Sequence, residues 1–328
     1  MEKSMSFRKV LSHVLVPVLL VGGICFLASC GHKKHTSGPS AGSAIQLNGA
    51  GATFPYPLYS KWFDSYKETN PDVSINYQSI GSGGGIQQLT AKTVDFGASD
   101  APLSDADAAK LSASIVQLPM VAGAVVISYN VPNIPTGVKL SADIVADIFL
   151  GTITKWNDPR LVSINPGTKL PNLPIAVAHR SDGSGTTNIF TQYLSAVSPQ
   201  WAGKVGAGKS VNWPVGIGGK GNEGVAGVLK ETPGAIGYVE LAYATQNSLP
   251  VATIKNQAGT FVAPTIASTT AAAEGAVAKM KKDIRVSIVN SSSKDAYPIC
   301  GFTYIMLYQN QLDATKGSAL VDFLWWAT

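Results

Sequence analysis

Three glycine-rich segments of the chain carry hydroxyl side chains and lead directly into predicted helices. They are residues 49–54 (GAGATF), 81–85 (GSGGG) and 182–186 (DGSGT). Glycine lets the backbone approach a ligand closely, and a helix N-terminus presents unpaired N–H donors. One such segment is more often a turn with a helix cap. Three together favour an oxyanion site, with further donors from the hydroxyls of Thr53, Ser82, Ser184 and Thr186.

Arg180 lies just before the third segment and is the side chain best suited to an oxyanion. A guanidinium group binds a tetrahedral anion through two parallel hydrogen bonds. Asp182 is placed to hold Arg180, although the alternative is an ordinary surface ion pair worth less than about 1 kcal/mol. Asp100 follows a predicted buried strand, and taken alone it is best interpreted as a cap of a helix or turn.

Two other glycine-rich motifs match nucleotide-binding patterns by letter only. Residues 203–210 (GKVGAGKS) fit the P-loop expression, which requires a buried strand before it and a helix after it. Pro214 excludes a helix directly after this motif, so we reject nucleotide binding. Residues 216–221 (GIGGKG) fit the dinucleotide pattern, but the strand before them is short and a lone match is weak. This second loop remains a candidate for lining the oxyanion site.

The composition excludes several classes of function. Of the 4 histidines only His179 lies in the predicted folded body, so we expect no hydrolytic triad, no metal site and no cofactor. The net charge is +5, of which the first 29 residues contribute +2, and the remainder is too small to indicate nucleic acid binding. The content of 45% hydrophobic residues is typical of a globular protein. The length of 328 residues favours two domains.

The N-terminal segment has the features of a secretory signal. Lys3, Arg8 and Lys9 precede an apolar run that ends in the sequence LASCG around Cys30. This end resembles the lipobox of bacterial lipoproteins, which implies a signal peptide over residues 1–29, acylation of Cys30 and a lipidated tether over residues 30–43. The alternative is a membrane-spanning anchor helix, against which Pro17 argues. Cys300 then remains as a buried, unreactive thiol.

From residue 45 onward, short apolar strands alternate with helical patterns, which predicts α/β layers with largely parallel sheets. The predicted strands cover residues 45–47, 73–77, 94–98, 121–129, 175–178, 235–239 and 304–308. The predicted helices cover residues 58–66, 143–150, 187–194, 225–229, 271–280 and 318–326, with a further helix beginning at residues 86–89. The continuous apolar run at 121–129 is typical of a strand buried on both faces.

The same loops closely resemble those of the phosphate-binding proteins of bacterial phosphate ABC transporters. The resemblance rests on GAGATFPYPLYSKW from residue 49, YQSIGSGGG from 77, TVDFGASDAPLS from 93, RSDGSGTT from 180 and PGAIGYVE from 233. It implies the type II periplasmic binding protein fold, in which two α/β lobes joined by crossing hinge strands enclose a central cleft. The implied lobes are residues 44–123 with 256–328, and residues 124–255.

The resemblance also implies a set of phosphate ligands in that cleft. These are Thr53, Phe54 (through its backbone N–H), Ser82, Asp100, Arg180, Ser184, Gly185 and Thr186, with Asp182 orienting Arg180. An ionised Asp100 only accepts hydrogen bonds, so it requires a proton on the ligand, which phosphate carries and sulfate at neutral pH does not. We therefore expect a non-enzymatic, monomeric protein outside the cytoplasmic membrane that captures phosphate by hinge closure and delivers it to a permease.

Two alternatives remain open at this point: a binding protein for another tetrahedral oxyanion, and an extracellular phosphatase or adhesin on the same scaffold. Members of the family usually continue for some tens of residues beyond the region that matches residues 323–326. This chain stops at Thr328 within a predicted helix, so we expect either a truncated sequence or a shortened last helix.

Overall fold

The computed structural model describes residues 44–328, which form one compact unit. The predicted signal peptide, the Cys30 lipidation site and the tether lie outside the described residues. Among residues 44–328, no helix is both long and apolar enough to cross a membrane.

Eleven strands form two sheets in the described part of the chain. They are β1 (Ile45–Gly51), β2 (Val73–Ser79), β3 (Phe96–Ser99), β4 (Ile115–Tyr129), β5 (Lys139–Leu140), β6 (Ala176–Arg180), β7 (Ile217–Gly219), β8 (Ala235–Glu240), β9 (Thr253–Lys255), β10 (Phe261–Val262) and β11 (Cys300–Tyr308). The larger sheet has eight strands in the order β2-β1-β3-β11-β4-β8-β6-β7, and the smaller one has the order β10-β9-β5. Every strand predicted from the sequence is present.

Helices connect these strands along the chain. They are α1 (Tyr56–Thr69), α2 (Ser82–Thr90), α3 (Asp105–Ala108), α4 (Ala142–Phe149), α5 (Pro159–Ser163), α6 (Gly185–Val197), α7 (Pro199–Lys204), α8 (Gly221–Glu231), α9 (Leu241–Gln246), α10 (Ile266–Glu274), α11 (Val277–Met280) and α12 (Ala314–Ala327). The prediction of one continuous helix over residues 271–280 is wrong, because the chain forms two shorter helices separated at Gly275. The apolar stripe of α1 is formed by Tyr59, Phe63 and Tyr66, whereas Leu58 is 38% exposed.

The prediction of a largely parallel sheet is only partly right. β2, β1 and β3 run parallel to one another, and so do β8, β6 and β7. We call these sets the β1 group and the β6 group. Between them, β11 is antiparallel to β3 and to β4, and β4 is antiparallel to β8. The two groups therefore run in opposite directions within one curled sheet.

The strand β4 links the two strand groups. Its first part pairs with β11 and its last five residues pair with β8, so it crosses from the β1 group to the β6 group. Burial follows the same division, because residues 124–129 of β4 are buried and residues 115–123 are only half-buried. The predicted burial on both faces is thus right for the second part of the strand.

Separate apolar clusters pack around the β1 group and around the β6 group. One contains Leu47 and Phe96 of the β1 group with Phe63 of α1 and Phe323 of α12. The other contains the buried part of β4, the β6 group and helices α4 and α6. Residues of the segment between β10 and β11, such as Ile288 and Tyr297, belong to this second cluster. The core around the β6 group therefore includes chain from well beyond residue 255.

The second helix begins earlier than predicted, because its glycines form its first turn. α2 starts at Ser82 rather than near residue 86. A Cβ atom at Gly85 would overlap the backbone of Gly51 and Ala50 in β1. The absence of a side chain thus lets α2 approach the sheet closely and brings its N-terminus to the end of β1.

Candidate functional site

The candidate site lies where the carboxyl ends of the parallel strands meet. Thr53 follows β1, Ser82 follows β2 and Asp100 follows β3, while Arg180 ends β6 and Gly221 follows β7. Ligands of open α/β sheets bind outside the carboxyl ends of the strands. Because the β1 and β6 groups run in opposite directions, these ends meet only through the curl of the sheet.

Hydrogen bonds join the loops of the two groups directly. The Ser82 hydroxyl oxygen accepts from the backbone N–H of Asp100 at 3.2 Å and from that of Gly185 at 3.0 Å. The N–H of Gly83 donates to the carbonyl oxygen of Gly183 at 2.8 Å. The first turn of α2 therefore contacts the first turn of α6, and the structure brings the three glycine-rich segments of the sequence together.

Arg180 and Asp182 form a buried ion pair with two hydrogen bonds in this site. The guanidinium Nε and Nη2 donate to the two carboxylate oxygens at 2.7 and 2.6 Å, and Arg180 is only 3% exposed. Asp182 also accepts from the backbone N–H of Gly221 at 3.0 Å. Burial opposes the charged form of Asp182, but the hydrogen bonds and charge of Arg180 outweigh it and lower its pKa. The Arg180 charge is thus already offset by a protein group.

Thr53 follows β1 and Thr186 lies in the first turn of α6, and the two residues share one hydrogen-bond partner. Asn222, in the first turn of α8, donates from Nδ2 to Oγ1 of Thr53 at 2.6 Å and to Oγ1 of Thr186 at 3.2 Å. All three residues are buried. Sequence reasoning missed Asn222; the signal that pointed to it was the motif at residues 216–221, which ends directly before it.

Asp100 is a buried carboxyl group at the same location. It is 4% exposed, and its Oδ1 atom has no hydrogen-bond partner among the described residues. Burial raises its pKa to about 7, and the nearby hydroxyls of Thr303 and Ser82 together with the charge of Arg180 offset only part of that rise. A carboxyl group with such a pKa exchanges its proton near neutral pH.

The remaining predicted ligands lie at helix N-termini around the same point. Ser184 is the N-cap of α6, where its hydroxyl accepts from the N–H of Thr187 at 3.0 Å. Gly185 begins that helix, and Phe54 lies just before α1 and is 3% exposed. The structure therefore places all nine predicted site residues at one location, which is rich in neutral donors and suited to an anion.

The motif at residues 203–210 and His179 have the following surroundings in the structure. Residues 203–210 begin in the last turn of α7 rather than after a strand, and no helix begins directly after them, so they do not form a P-loop. His179 stacks on Trp213 with ring centroids 4.8 Å apart, and its Nδ1 contacts the carbonyl oxygen of Arg180. Within residues 44–328, no cluster of His, Cys, Asp and Glu suited to a metal ion occurs.

Comparison with known proteins identifies the family of this chain. The profile of the PBP superfamily domain matches residues 36–327. The chain is 47% identical to the phosphate-binding protein PstS of Xylella fastidiosa, over 89% of this chain and 80% of that protein. It is 50% identical to the PstS of Haemophilus influenzae, over 86% of this chain and 84% of that protein. The chain belongs to the PBP superfamily, in the family of the PstS proteins.

Solved structures agree with this family assignment. PfluDING, a high-affinity periplasmic phosphate-binding protein solved with bound phosphate, aligns with a TM-score of 0.65 at 25% identity, over 85% of this chain and 84% of its own. The predicted fold of a type II periplasmic binding protein is confirmed by this likeness and by the PBP superfamily match.

The raised pKa of Asp100 predicts a pH-dependent stability of the ligand-free protein. A carboxyl whose pKa is raised by folding stabilises the protein below its unfolded pKa of about 4, and this contribution is lost as pH rises through about 7. In phosphate-free buffer, the unfolding free energy of the wild type should fall between pH 4 and pH 8 relative to Asp100→Asn, by up to about 4 kcal/mol. Urea unfolding of both proteins across this range measures the difference. If the unfolding free energies of the two proteins changed with pH in parallel, this result would contradict the raised pKa of Asp100.

Proposed function

We propose that this chain binds inorganic phosphate between the β1 and β6 groups and delivers it to an ABC importer. One observation carries the proposal: a buried set of neutral donors surrounds an already paired Arg180, and the free oxygen of Asp100 completes the site. The PstS proteins and PfluDING are phosphate-binding by name, which supports the same ligand. These names are those of binding proteins, in agreement with a non-enzymatic function.

The donor set suits a partly protonated tetrahedral anion. A desolvated anion is stabilised only where each of its oxygens is hydrogen-bonded. Neutral N–H and O–H groups provide such bonds without adding a second cation beside Arg180. Ionised Asp100 accepts the proton of phosphate but repels an oxygen without one. Selection against sulfate then arises from a contact that the wrong ligand cannot satisfy.

Anion titration tests the ligand and the contribution of Asp100 together. In calorimetry at pH 8, phosphate and arsenate should bind, whereas sulfate should bind at least about 1000-fold more weakly, since each 1.4 kcal/mol is a factor of ten. Asp100→Asn should reduce this ratio, and Asp72→Asn, which alters an exposed aspartate, should leave it unchanged.

The pH dependence sharpens this test. Below about pH 7 Asp100 carries a proton itself, so sulfate affinity of the wild type should rise there and that of Asp100→Asn should not. Wild-type protein that binds sulfate as tightly as phosphate at pH 8 would rule out the proposed specificity. Protein that binds neither anion would rule out the proposed function.

The proposed mechanism is closure of two lobes over the ligand. The separate apolar clusters and the two crossing strands β4 and β11 support two lobes. The packing of residues 288–299 with the β6 group favours a lobe boundary near residue 299 instead of 255. The lobe that contains the β1 group then comprises residues 44–123 and about 300–328. Small-angle scattering should show a smaller radius of gyration after phosphate is added. An unchanged radius would contradict closure on binding.

We further propose export and attachment to the membrane through a lipid on Cys30. The lipobox-like sequence LASCG and the periplasmic description of PfluDING support this location. Cells that express the wild type should incorporate labelled palmitate into the protein, and Cys30→Ser should abolish that label, while Cys300→Ser should not. Label retained by Cys30→Ser would contradict lipidation at this residue. Docking to a permease and a monomeric state stay predictions from the family resemblance.

The names of the relatives and the surroundings of His179 both argue against a phosphatase. His179 is stacked on Trp213, and its Nδ1 atom contacts the backbone carbonyl oxygen of Arg180 instead of a hydroxyl group. Another tetrahedral oxyanion remains distinguishable from phosphate by the titration above.

A further inference from the structure

The hydroxyl oxygens of Thr53 and Thr186 have unusually complete sets of donors. Oγ1 of Thr53 accepts from both the backbone N–H and the Nδ2 of Asn222, at 3.2 and 2.6 Å. Oγ1 of Thr186 accepts from Nδ2 of Asn222 at 3.2 Å and from Nη1 of Arg180 at 3.3 Å. Neither hydroxyl donates to a protein acceptor among the described residues.

The orientation of the Asn222 amide follows from its other hydrogen bond. The backbone N–H of Glu240 donates to Oδ1 of Asn222 at 2.9 Å. The oxygen of the amide must therefore point to β8, and the NH₂ group must point to the two threonines. Because that NH₂ group carries two hydrogens, it supplies one to each threonine hydroxyl.

These contacts leave the threonines only one way to bind a ligand. A hydroxyl group has two lone pairs and one hydrogen. Both lone pairs of each threonine oxygen are occupied by protein donors, so each hydrogen is directed elsewhere. Resting on the proposed function, we propose that Asn222 is a positioning residue that directs the Thr53 and Thr186 hydroxyl hydrogens at the bound anion.

This arrangement gives Asn222 a part in specificity. Thr53 follows β1, whereas Thr186 lies in α6 and Asn222 lies in α8, which follow strands of the β6 group. One amide therefore orients donors that come from both strand groups. An anion facing these threonines must present unprotonated oxygens to them. The proton of phosphate is then left to face Asp100, whose Oδ1 is free to accept it. Asn222 thereby sets the direction in which the ligand's proton points.

Substitution of Asn222 tests the proposal. Asn222→Asp is close to isosteric, but its carboxylate accepts the threonine hydrogens instead of donating to the oxygens. Phosphate affinity by calorimetry at pH 8 should fall at least about 100-fold, because two donors to an anion are lost and a like charge is added. Asn222→Ala adds no charge, and its phosphate affinity should be lower than that of the wild type by about 10-fold or more.

A double-substitution cycle separates positioning from a general structural effect. Thr53→Val and Thr186→Val together remove both hydroxyls and keep the shape of the side chains. In that background Asn222→Ala should change phosphate affinity less than about 2-fold, since Asn222 has no hydroxyl left to orient. Equal losses in the two backgrounds would overturn the proposal.

Asn165→Ala is the matched control. Asn165 is also a buried asparagine, and its Nδ2 donates to the carbonyl oxygens of Lys139 and Leu161. This variant should lower the melting temperature without changing phosphate affinity. Thermal unfolding verifies the folded state of each Asn222 variant, and Asn222→Asp and Asn222→Ala serve as substitutes for each other if one does not fold.

The wild type is titrated first with inorganic phosphate. If it does not bind, the proposed function itself fails. If it binds and both Asn222 variants retain its affinity, only the positioning proposal is overturned.

Discussion

Arg180 carries a positive charge in a place that is 97% shielded from solvent, since only 3% of the residue is exposed. A charge that is buried in the folded protein must have a partner there, because its desolvation is otherwise too costly. Asp182 supplies that partner through two hydrogen bonds and is held in turn by the N–H of Gly221. The pair therefore connects the end of β6 to the start of α8, and the loops of the site are arranged around it.

The same pair explains the polarity of the remaining site. Because Asp182 offsets the guanidinium charge, an anion bound here depends on neutral donors for most of its stabilisation. These come from helix N-termini and hydroxyls, which need close backbone approach. Gly185 illustrates the point, since a Cβ atom there would overlap the Asp100 side chain and the Ser82 hydroxyl. Glycine at this position allows the two sides of the site to touch.

Much of the fold could be predicted from the sequence, because strands and helices depend on local patterns. The apolar runs predicted every strand of the larger sheet except β7, and the helix predicted over residues 58–66 lies within α1. The errors are non-local. The helix start at Ser82 depends on packing of Gly85 against β1, and the mixed sheet depends on β11 returning between β3 and β4. The core position of residues 288–299 likewise depends on contacts far away in the chain.

The sequence by itself determined the kinds of groups available to the site: hydroxyls, glycine N–H donors, one arginine and two aspartates. These are properties of single residues and short segments, so they can be identified from the sequence without a structure. Only the tertiary structure decided that the ends of two oppositely directed strand groups meet, because that requires a curled sheet. It also decided the raised pKa of Asp100, which results from burial, and the contact of Asn222 with Thr53, which are 169 residues apart. Such properties depend on neighbours that sequence distance does not reveal.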